Sequence, residues 1–242
     1  MDKAVKAIKR ADRIAVLTGA GMSVESGIAP FRGEDGLWNE FDPQEYATLS
    51  AFKRNPEKSW ELFRLQIEEC LSADPHEGHR SLVELEDHGL KAVVTQNVDG
   101  LHQEAGSETV LELHGTLAEL VCPSCGSREE TEDHLDEIID GNIPRCECGS
   151  MLRPDVVLFG ESLPRETLRR SQRNAEETDL LISIGTSAVV QPAASIPTLA
   201  ERTGSVLIEI NPEKTPLTPR ADHFLEGKAG EKLPELVEQV KG

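Results

Sequence analysis

The sequence predicts an α/β protein: an open, mostly parallel sheet covered by helices on both faces, with a smaller domain inserted into it. Three observations lead there. Short apolar runs alternate with stretches of helical periodicity along most of the chain. The runs are apolar at successive positions, as in strands buried on both faces. One polar, cysteine-bearing stretch, from Cys122 to Cys148, interrupts the rhythm.

Taken in order, Asp2 to Asp12 has helical spacing, with Ala4, Val5 and Ile8 on one side. Ile14 to Thr18 is a strand that enters a tight turn at Gly19-Ala20-Gly21. Pro56 to Leu71 predicts a helix, since Pro56 suits a first turn and Trp60, Phe63 and Ile67 recur at helical spacing. His79 to His88 predicts another, stopped by Gly89. Ala92 to Thr95 and Val110 to Leu113 are the second and third strands. Beyond the cysteines, Val156 to Phe159, Leu180 to Ile184 and Val206 to Ile210 read as strands. Helices are expected near Pro192 to Arg202 and from Gly230 to Val240. The main domain is expected over residues 1–32, 80–119 and 153–242, and the inserted one over 33–79 and 120–152.

Sheets of this kind bind ligands beyond the carboxyl ends of their strands. The unusual residues collect there: Gly19 to Arg32, Gln96 to His102, His114-Gly115, Gly185-Thr186-Ser187 and Asn211. The turn Gly19-Ala20-Gly21 would let backbone amides approach a phosphate at a helix N-terminus. Val24 holds the place of a third glycine, however, and a plain strand–helix turn explains the pair equally well.

At 242 residues the chain has room for one large domain carrying a smaller one. No apolar run approaches the roughly 20 residues that cross a bilayer. The first residues lack the basic-then-apolar layout of a signal peptide, so a cytoplasmic protein without membrane contact is expected. A formal net charge of −19 argues against direct nucleic-acid binding. It suits basic partners such as Lys-rich segments, and equally a merely well-solvated surface.

Four of the five cysteines, Cys122, Cys125, Cys146 and Cys148, form C-x-x-C and C-x-C pairs. Four thiolates so spaced suit one tetrahedral zinc with no open position, hence a structural site. A redox pair or an iron–sulfur cluster competes with that reading. Cys70 stands alone in a helical pattern and reads as a buried hydrophobe. His76, His79 and His88 have no convergent ligand spacing.

From Gly19-Ala20-Gly21-Met22-Ser23-Val24 through Ile28-Ala29-Pro30-Phe31-Arg32, the chain closely resembles the opening signature of the sirtuins. These are NAD-dependent protein-lysine deacylases, and the likeness is to their prokaryotic and archaeal form. It runs through nearly the whole sequence. Thr95 to His102 looks like the second signature, His114-Gly115 like the catalytic dipeptide, and the cysteines like the zinc site. Val157 to Glu161 resembles the peptide-binding strand, and Gly185-Thr186-Ser187, Asn211 and Lys228-Ala229-Gly230 resemble later cofactor contacts.

The resemblance implies a Rossmann-type sheet with NAD in the cleft. Its cofactor contacts would fall on Gly19, Ala20, Gly21, Val24, Ile28, Phe31 and Arg32. Gln96, Asn97, Val98, Asp99 and His114 would come next, then Gly185, Thr186, Ser187, Asn211, Pro212 and Ala229. Asn97 and Gln96 suit ribose hydroxyls, and Asp99 with Ile28 would hold the nicotinamide. Phe31 would shield the sugar carbon after nicotinamide leaves, and Arg32 would order the phosphate loop. His114 would be the catalytic base, with Asn97 assisting. An acyl-lysine peptide would lie along Val157, Phe159, Gly160, Glu161 and Val190 by strand addition. The acyl oxygen attacks the ribose carbon as nicotinamide departs, His114 deprotonates a ribose hydroxyl, and that hydroxyl attacks the acyl carbon. Water completes the transfer, giving lysine, nicotinamide and O-acyl-ADP-ribose.

In two places the chain departs from family patterns. Ala29-Pro30 stands where the family places Pro directly after the Ile, which alters the path near Ile28. Sirtuins that favour succinyl groups carry Tyr and Arg where this chain has Phe63 and Gln66. A buried acyl carboxylate would then lack a cation, so neutral acyl groups are expected. Two rivals stay open: a mono-ADP-ribosyltransferase on the same scaffold, and an idle NAD-binding or zinc interaction module. The second would be marked by loss of Asn97, Asp99 or His114, and all three are present.

Overall fold

The computed structural model describes all residues, 1–242. The chain starts with helix α1 (Asp2–Ile8) and strand β1 (Ile14–Thr18). A helical excursion comes next: α2 (Pro43–Tyr46), α3 (Leu49–Arg54), α4 (Pro56–Leu71) and α5 (Glu77–Glu86). The chain returns through β2 (Leu90–Thr95), α6 (Leu101–Ala105) and β3 (Val110–Glu112). The next group is β4 (Gly115–Val121), β5 (Arg128–Glu130), α7 (Leu135–Ile139) and β6 (Arg153–Val156). The last third holds α8 (Arg165–Glu176), β7 (Leu180–Ile184), α9 (Ile196–Arg202), β8 (Val206–Asn211), β9 (His223–Glu226) and α10 (Ala229–Lys241).

Six strands form one parallel sheet in the order β3-β2-β1-β7-β8-β9. Strand β1 is buried at every position: Ile14 and Val16 join the core under α1, α5 and α10, while Ala15 and Leu17 join the core under α8 and α9. Covering both faces explains why the strands read as continuous apolar runs. From β1 the chain first builds outward on one side, then restarts at β7 on the other. The crevice between the ends of β1 and β7 is therefore the switch point at which such sheets bind ligands.

The second sheet is antiparallel, β5-β4-β6. It packs with α4 around Trp60, Phe63, Leu120 and Leu152. Asn55 caps α4 by accepting from Lys58 N–H, and Pro56 occupies the first turn, where its missing N–H costs nothing. The Trp60 indole donates to Leu152 O at 3.0 Å, tying this helix to the cysteine lobe.

The structure corrects the expected Val156 to Phe159 strand. The strand is Arg153–Val156, and it pairs with β4 in the small sheet rather than joining the large one. Leu152 and Pro154 supply its buried side, so the apolar run beyond it faces the cleft instead of a sheet. The helix expected from Pro192 begins as a single 3-10 turn and becomes α-helical only at Ile196.

Candidate active site

A cleft of about 1010 Å³ lies outside the carboxyl ends of β1, β2, β7 and β8, with the small domain as its other wall. Its volume is at the upper end of the range for a small-molecule site. The glycines set its floor. A Cβ on Gly19 would lie 2.9 Å from Gly185 O, and one on Gly185, which has φ +58°, would lie 2.5 Å from the backbone of Gly21 and Met22. Side chains here would separate β1 from β7.

The same approach corrects the helix N-terminus expected after this turn. Gly19 N–H donates to Ile184 O (3.0 Å) and Gly21 N–H to Gly185 O (2.8 Å), so both amides are consumed by the neighbouring strand and its loop. Beyond Gly19 the chain makes two 3-10 turns, Ala20–Met22 and Val24–Ser26, in place of an α-helix N-terminus. The glycines serve close approach of the two loops, and Val24 can replace a third because no helix needs to pack there.

Three loops are stitched together across the cleft. The Gln96 amide donates to Thr186 Oγ1 (2.9 Å), and the Asn211 amide to Thr186 O (2.9 Å). Asn97 donates its side-chain amide to Ser23 Oγ (3.0 Å), and Ser23 Oγ–H in turn donates to Asp99 Oδ2 at 2.7 Å. Asp99 Oδ1 accepts from Leu101 N–H (3.0 Å). Burial nevertheless raises the Asp99 carboxyl above the usual carboxylate range, with the hydrogen bonds from Ser23 and Leu101 acting against it. Ser23, fully buried, is the residue that sequence reasoning passed over. It fills one place in the first signature, and nothing in its type marks it off from a turn serine.

His114 lies just past the end of β3 and lines the cleft. Its Nδ1 lies 2.9 Å from Gln96 O. A carbonyl only accepts, so Nδ1 carries the proton and Nε2 presents a lone pair. Burial lowers the His114 pKa, only partly offset by that hydrogen bond, which keeps the ring neutral at physiological pH. Gly115 comes next with φ +79°, and a Cβ there would lie 1.9 Å from Asp155 O, so only glycine fits the step from β3 into β4.

Val157 N–H donates to His114 O (2.8 Å), tying the segment expected to bind peptide to the histidine. Phe159 pairs with the α2–α3 turn through Ala47 O and Leu49 N. The Glu161 carboxylate accepts from Arg153 (2.9 Å) and from Leu158 N–H (2.9 Å), so it shapes the turn and has no oxygen left without a partner. Val157, Phe159, Gly160, Glu161 and Val190 all line the cleft. Residues 188–190 form no strand, and Val189 is 50% exposed. Phe63, Gln66, Leu62, Ala47, Val98 and Leu158 line the part of the cleft against the small domain.

Of the expected cofactor residues, Asp99 and Ala229 do not line the cleft. Asp99 lies behind Ser23. Ala229, 4% exposed, starts α10 within the core, and the adjoining Gly230 N–H is taken by Glu25 Oε2 at 2.6 Å. The other expected residues, Gly19, Ala20, Gly21, Val24, Ile28, Phe31, Arg32, Gln96 to Val98, Gly185 to Ser187, Asn211 and Pro212, face the cleft.

The four clustered cysteine sulfurs all lie within 4.8 Å of one another, and two of the pairs are at 3.5 Å. A tetrahedral zinc with Zn–S near 2.3 Å places sulfurs about 3.8 Å apart, while a disulfide needs about 2 Å. The residues therefore fit zinc, and four thiolates complete its coordination. Cys122 and Cys146 are buried in the small-domain core, which makes the ion a brace. Cys70 is half-buried against the same core, and burial pushes its thiol up to about 12.

Residues 19–192 match a sequence model of the Sir2 family. This chain belongs to the Sir2 family. A Pyrococcus abyssi protein named NAD-dependent protein deacylase is 49% identical over 228 residues, covering 93% of this chain and 91% of its own. NAD-dependent protein deacylase 1 of Archaeoglobus fulgidus is 48% identical, covering 99% and 98%. Among solved Sir2 structures, a homolog–NAD complex is 48% identical with TM-score 0.93, covering 100% of this chain and 94% of that one. A Sir2 enzyme with deacetylated p53 peptide and 3′-O-acetyl-ADP-ribose is 33% identical with TM-score 0.94, covering 99% and 98%. A third, bound to a myristoylated histone peptide, is 39% identical with TM-score 0.85, covering 99% and 95%.

Proposed function

We propose that this Sir2 protein is an NAD-dependent protein-lysine deacylase that transfers the acyl group to ADP-ribose and releases nicotinamide. The observation that carries the reading is His114, held neutral by burial with Nδ1–H on Gln96 O, so that Nε2 is a base on the wall of the cleft. Acyl transfer is favoured over ADP-ribosylation by the deacylase names of relatives near 48% identity and by the acetyl-ADP-ribose held in a structural neighbour.

In this reading Asn97 and Gln96 hold the ribose. Asp99 and Ser23 fix Asn97 and the nicotinamide end. The acyl oxygen displaces nicotinamide from the ribose carbon, and His114 Nε2 takes the proton of a ribose hydroxyl as its oxygen attacks the acyl carbon. Water supplies the last oxygen, leaving lysine amine and O-acyl-ADP-ribose. The peptide lies along Val157 to Glu161 and Val190, and the chain's negative charge favours basic flanking segments. Zinc on the four cysteines stiffens the lobe and takes no part in the chemistry.

The acyl group is neutral. Phe63 and Gln66 give its end an apolar wall and an amide, with no cation among these side chains. One experiment tests both statements: incubation with NAD and matched acetyl- or succinyl-lysine peptides, with nicotinamide and O-acyl-ADP-ribose followed together. Equimolar nicotinamide and O-acetyl-ADP-ribose are expected, with kcat/KM for succinyl lower by about tenfold or more, the scale of one missing charged hydrogen bond. Nicotinamide release with ADP-ribose attached to the peptide would refute deacylation. Equal use of succinyl would refute the acyl assignment.

A further inference from the structure

Glu209 lies on β8, is 1% exposed, and takes no part in the chemistry derived above. A carboxylate buried so deeply is costly unless both oxygens find donors. Here they do. Thr215 Oγ1–H donates to Oε1, and Thr218 Oγ1–H to Oε2 at 2.6 Å. Each hydroxyl also accepts a main-chain amide of the same loop: Leu217 N–H to Thr215 Oγ1 (3.0 Å) and Thr215 N–H to Thr218 Oγ1 (2.8 Å). The carboxylate thus organises four hydrogen bonds in a loop that has no strand or helix between Asn211 and Thr218. The front of that loop, from Asn211 to Pro216, is a wall of the cleft.

We propose that Glu209 is a positioning residue for the dinucleotide: from behind, it sets the shape of the 211–216 wall and so the affinity for the end of NAD remote from the reacting bond. In the sheet, β8 is separated from β3, which leads to His114, by three strands. At about 4.8 Å per strand, the two loops lie on the order of 19 Å apart. The wall cannot touch the ribose carbon that reacts. It contributes equally to ground and transition states, and losing its shape changes KM for NAD and leaves kcat alone.

The inference rests on NAD being the co-substrate, and its test is separable from turnover. Glu209→Gln keeps the volume but replaces one of the two acceptor oxygens with a donor amide, so one of the two threonine hydroxyls loses its acceptor. Thr218→Val removes one donor, and Thr218→Ser restores it. For Glu209→Gln and Thr218→Val, the expectation is a rise of about tenfold in KM for NAD, the order set by one hydrogen bond to a charged group. The same rise is expected in the calorimetric Kd for ADP-ribose, with kcat at saturating NAD within about twofold of wild type. Thr218→Ser should return KM and Kd to within about twofold of wild type. Unchanged Kd for ADP-ribose in Glu209→Gln and Thr218→Val would overturn the proposal, as would a fall in kcat with KM unaltered. If Glu209→Gln does not fold, the Thr218→Val and Thr218→Ser pair gives the same decision. A wild type that binds ADP-ribose yet never turns over acetyl peptide would instead count against the deacylase reading.

Discussion

At the scale of single residues, the proposed mechanism divides the labour between His114 and the Ser23–Asn97–Asp99 network. Nicotinamide departure depends on how the cofactor is held and on the acyl oxygen, and needs no proton acceptor at His114. The later attack by the ribose hydroxyl does need one, and a positioned base typically contributes about 10²–10⁴-fold. His114→Ala should therefore lose deacetylation by that factor while still exchanging labelled nicotinamide into NAD in the presence of acetyl peptide. Asp99→Asn should impair exchange itself, because Asn has one acceptor oxygen for the two donors, Ser23 Oγ–H and Leu101 N–H, that the carboxylate now satisfies. Peptide and NAD affinities measured alongside separate binding losses from chemistry. Equal loss of exchange in both variants would break the division. Since burial lowers the His114 pKa, the acid limb of the pH–rate profile should fall below the ordinary histidine value of 6.5, and His114→Ala should lack it.

At the scale of elements, the zinc lobe is a test of how structure is divided from chemistry. The strands β4 and β6 bring Cys122 and Cys146 into the same apolar core as Trp60 and Phe63, so the ion supports the wall against which the acyl group is proposed to lie. Metal analysis should give about one zinc per chain, and Cys146→Ser should lower both zinc content and thermal stability. Activity should fall only in proportion to the folded fraction. Free alkylation of all four cysteines in the native protein would contradict the site. This lobe was legible as a metal site from cysteine spacing alone, whereas its strands were not, because β5 is Arg-Glu-Glu and only half-buried at best. Helix α8 was invisible for a related reason: besides Leu168, its buried face is made of Ser171 and Ala175, so there is no apolar stripe to read. The strands β1 and β7, buried at every position, and β2 and β8, buried along most of their length, were plain in the sequence, since two covered faces leave an apolar run. In the site, motif positions foretold which loops meet. They did not foretell that Gly19 and Gly21 spend their amides on Ile184 and Gly185, partners far away in the chain.

At the scale of the whole molecule, stability should respond to acid through histidines that the catalytic site does not use. His79 and His102 are fully buried with ring centroids 5.0 Å apart, and His102 Nε2 meets Thr18 Oγ1 at 2.9 Å. Burial, with neighbouring histidines adding to it, lowers His79 to about 2 and His102 to about 4. In the unfolded chain both take up a proton near pH 6.5, while the native state refuses it until well below. Unfolding therefore binds protons between pH 6.5 and the folded values, and stability is lost as pH falls through that window. Each histidine contributes about 2 kcal/mol of loss by about pH 5, from about 1.4 kcal/mol per unit below about 6.5. The half-buried carboxyls of Asp99, Glu69 and Glu112 are raised by desolvation and act in the opposite sense, gaining protons on the native side as pH falls through their folded values. The histidine contribution is isolated by His102→Gln, whose amide can still donate to Thr18, and by His79→Asn, whose oxygen can still accept from His76 N–H. Denaturant unfolding at about pH 7 and about pH 5 should show a smaller difference in each variant than in the wild type, and the smallest in the double variant. A wild type equally stable at both pH values, or variants that keep the full difference, would mean that these rings charge freely in the native state and that the packing around β1 and α5 opens to water.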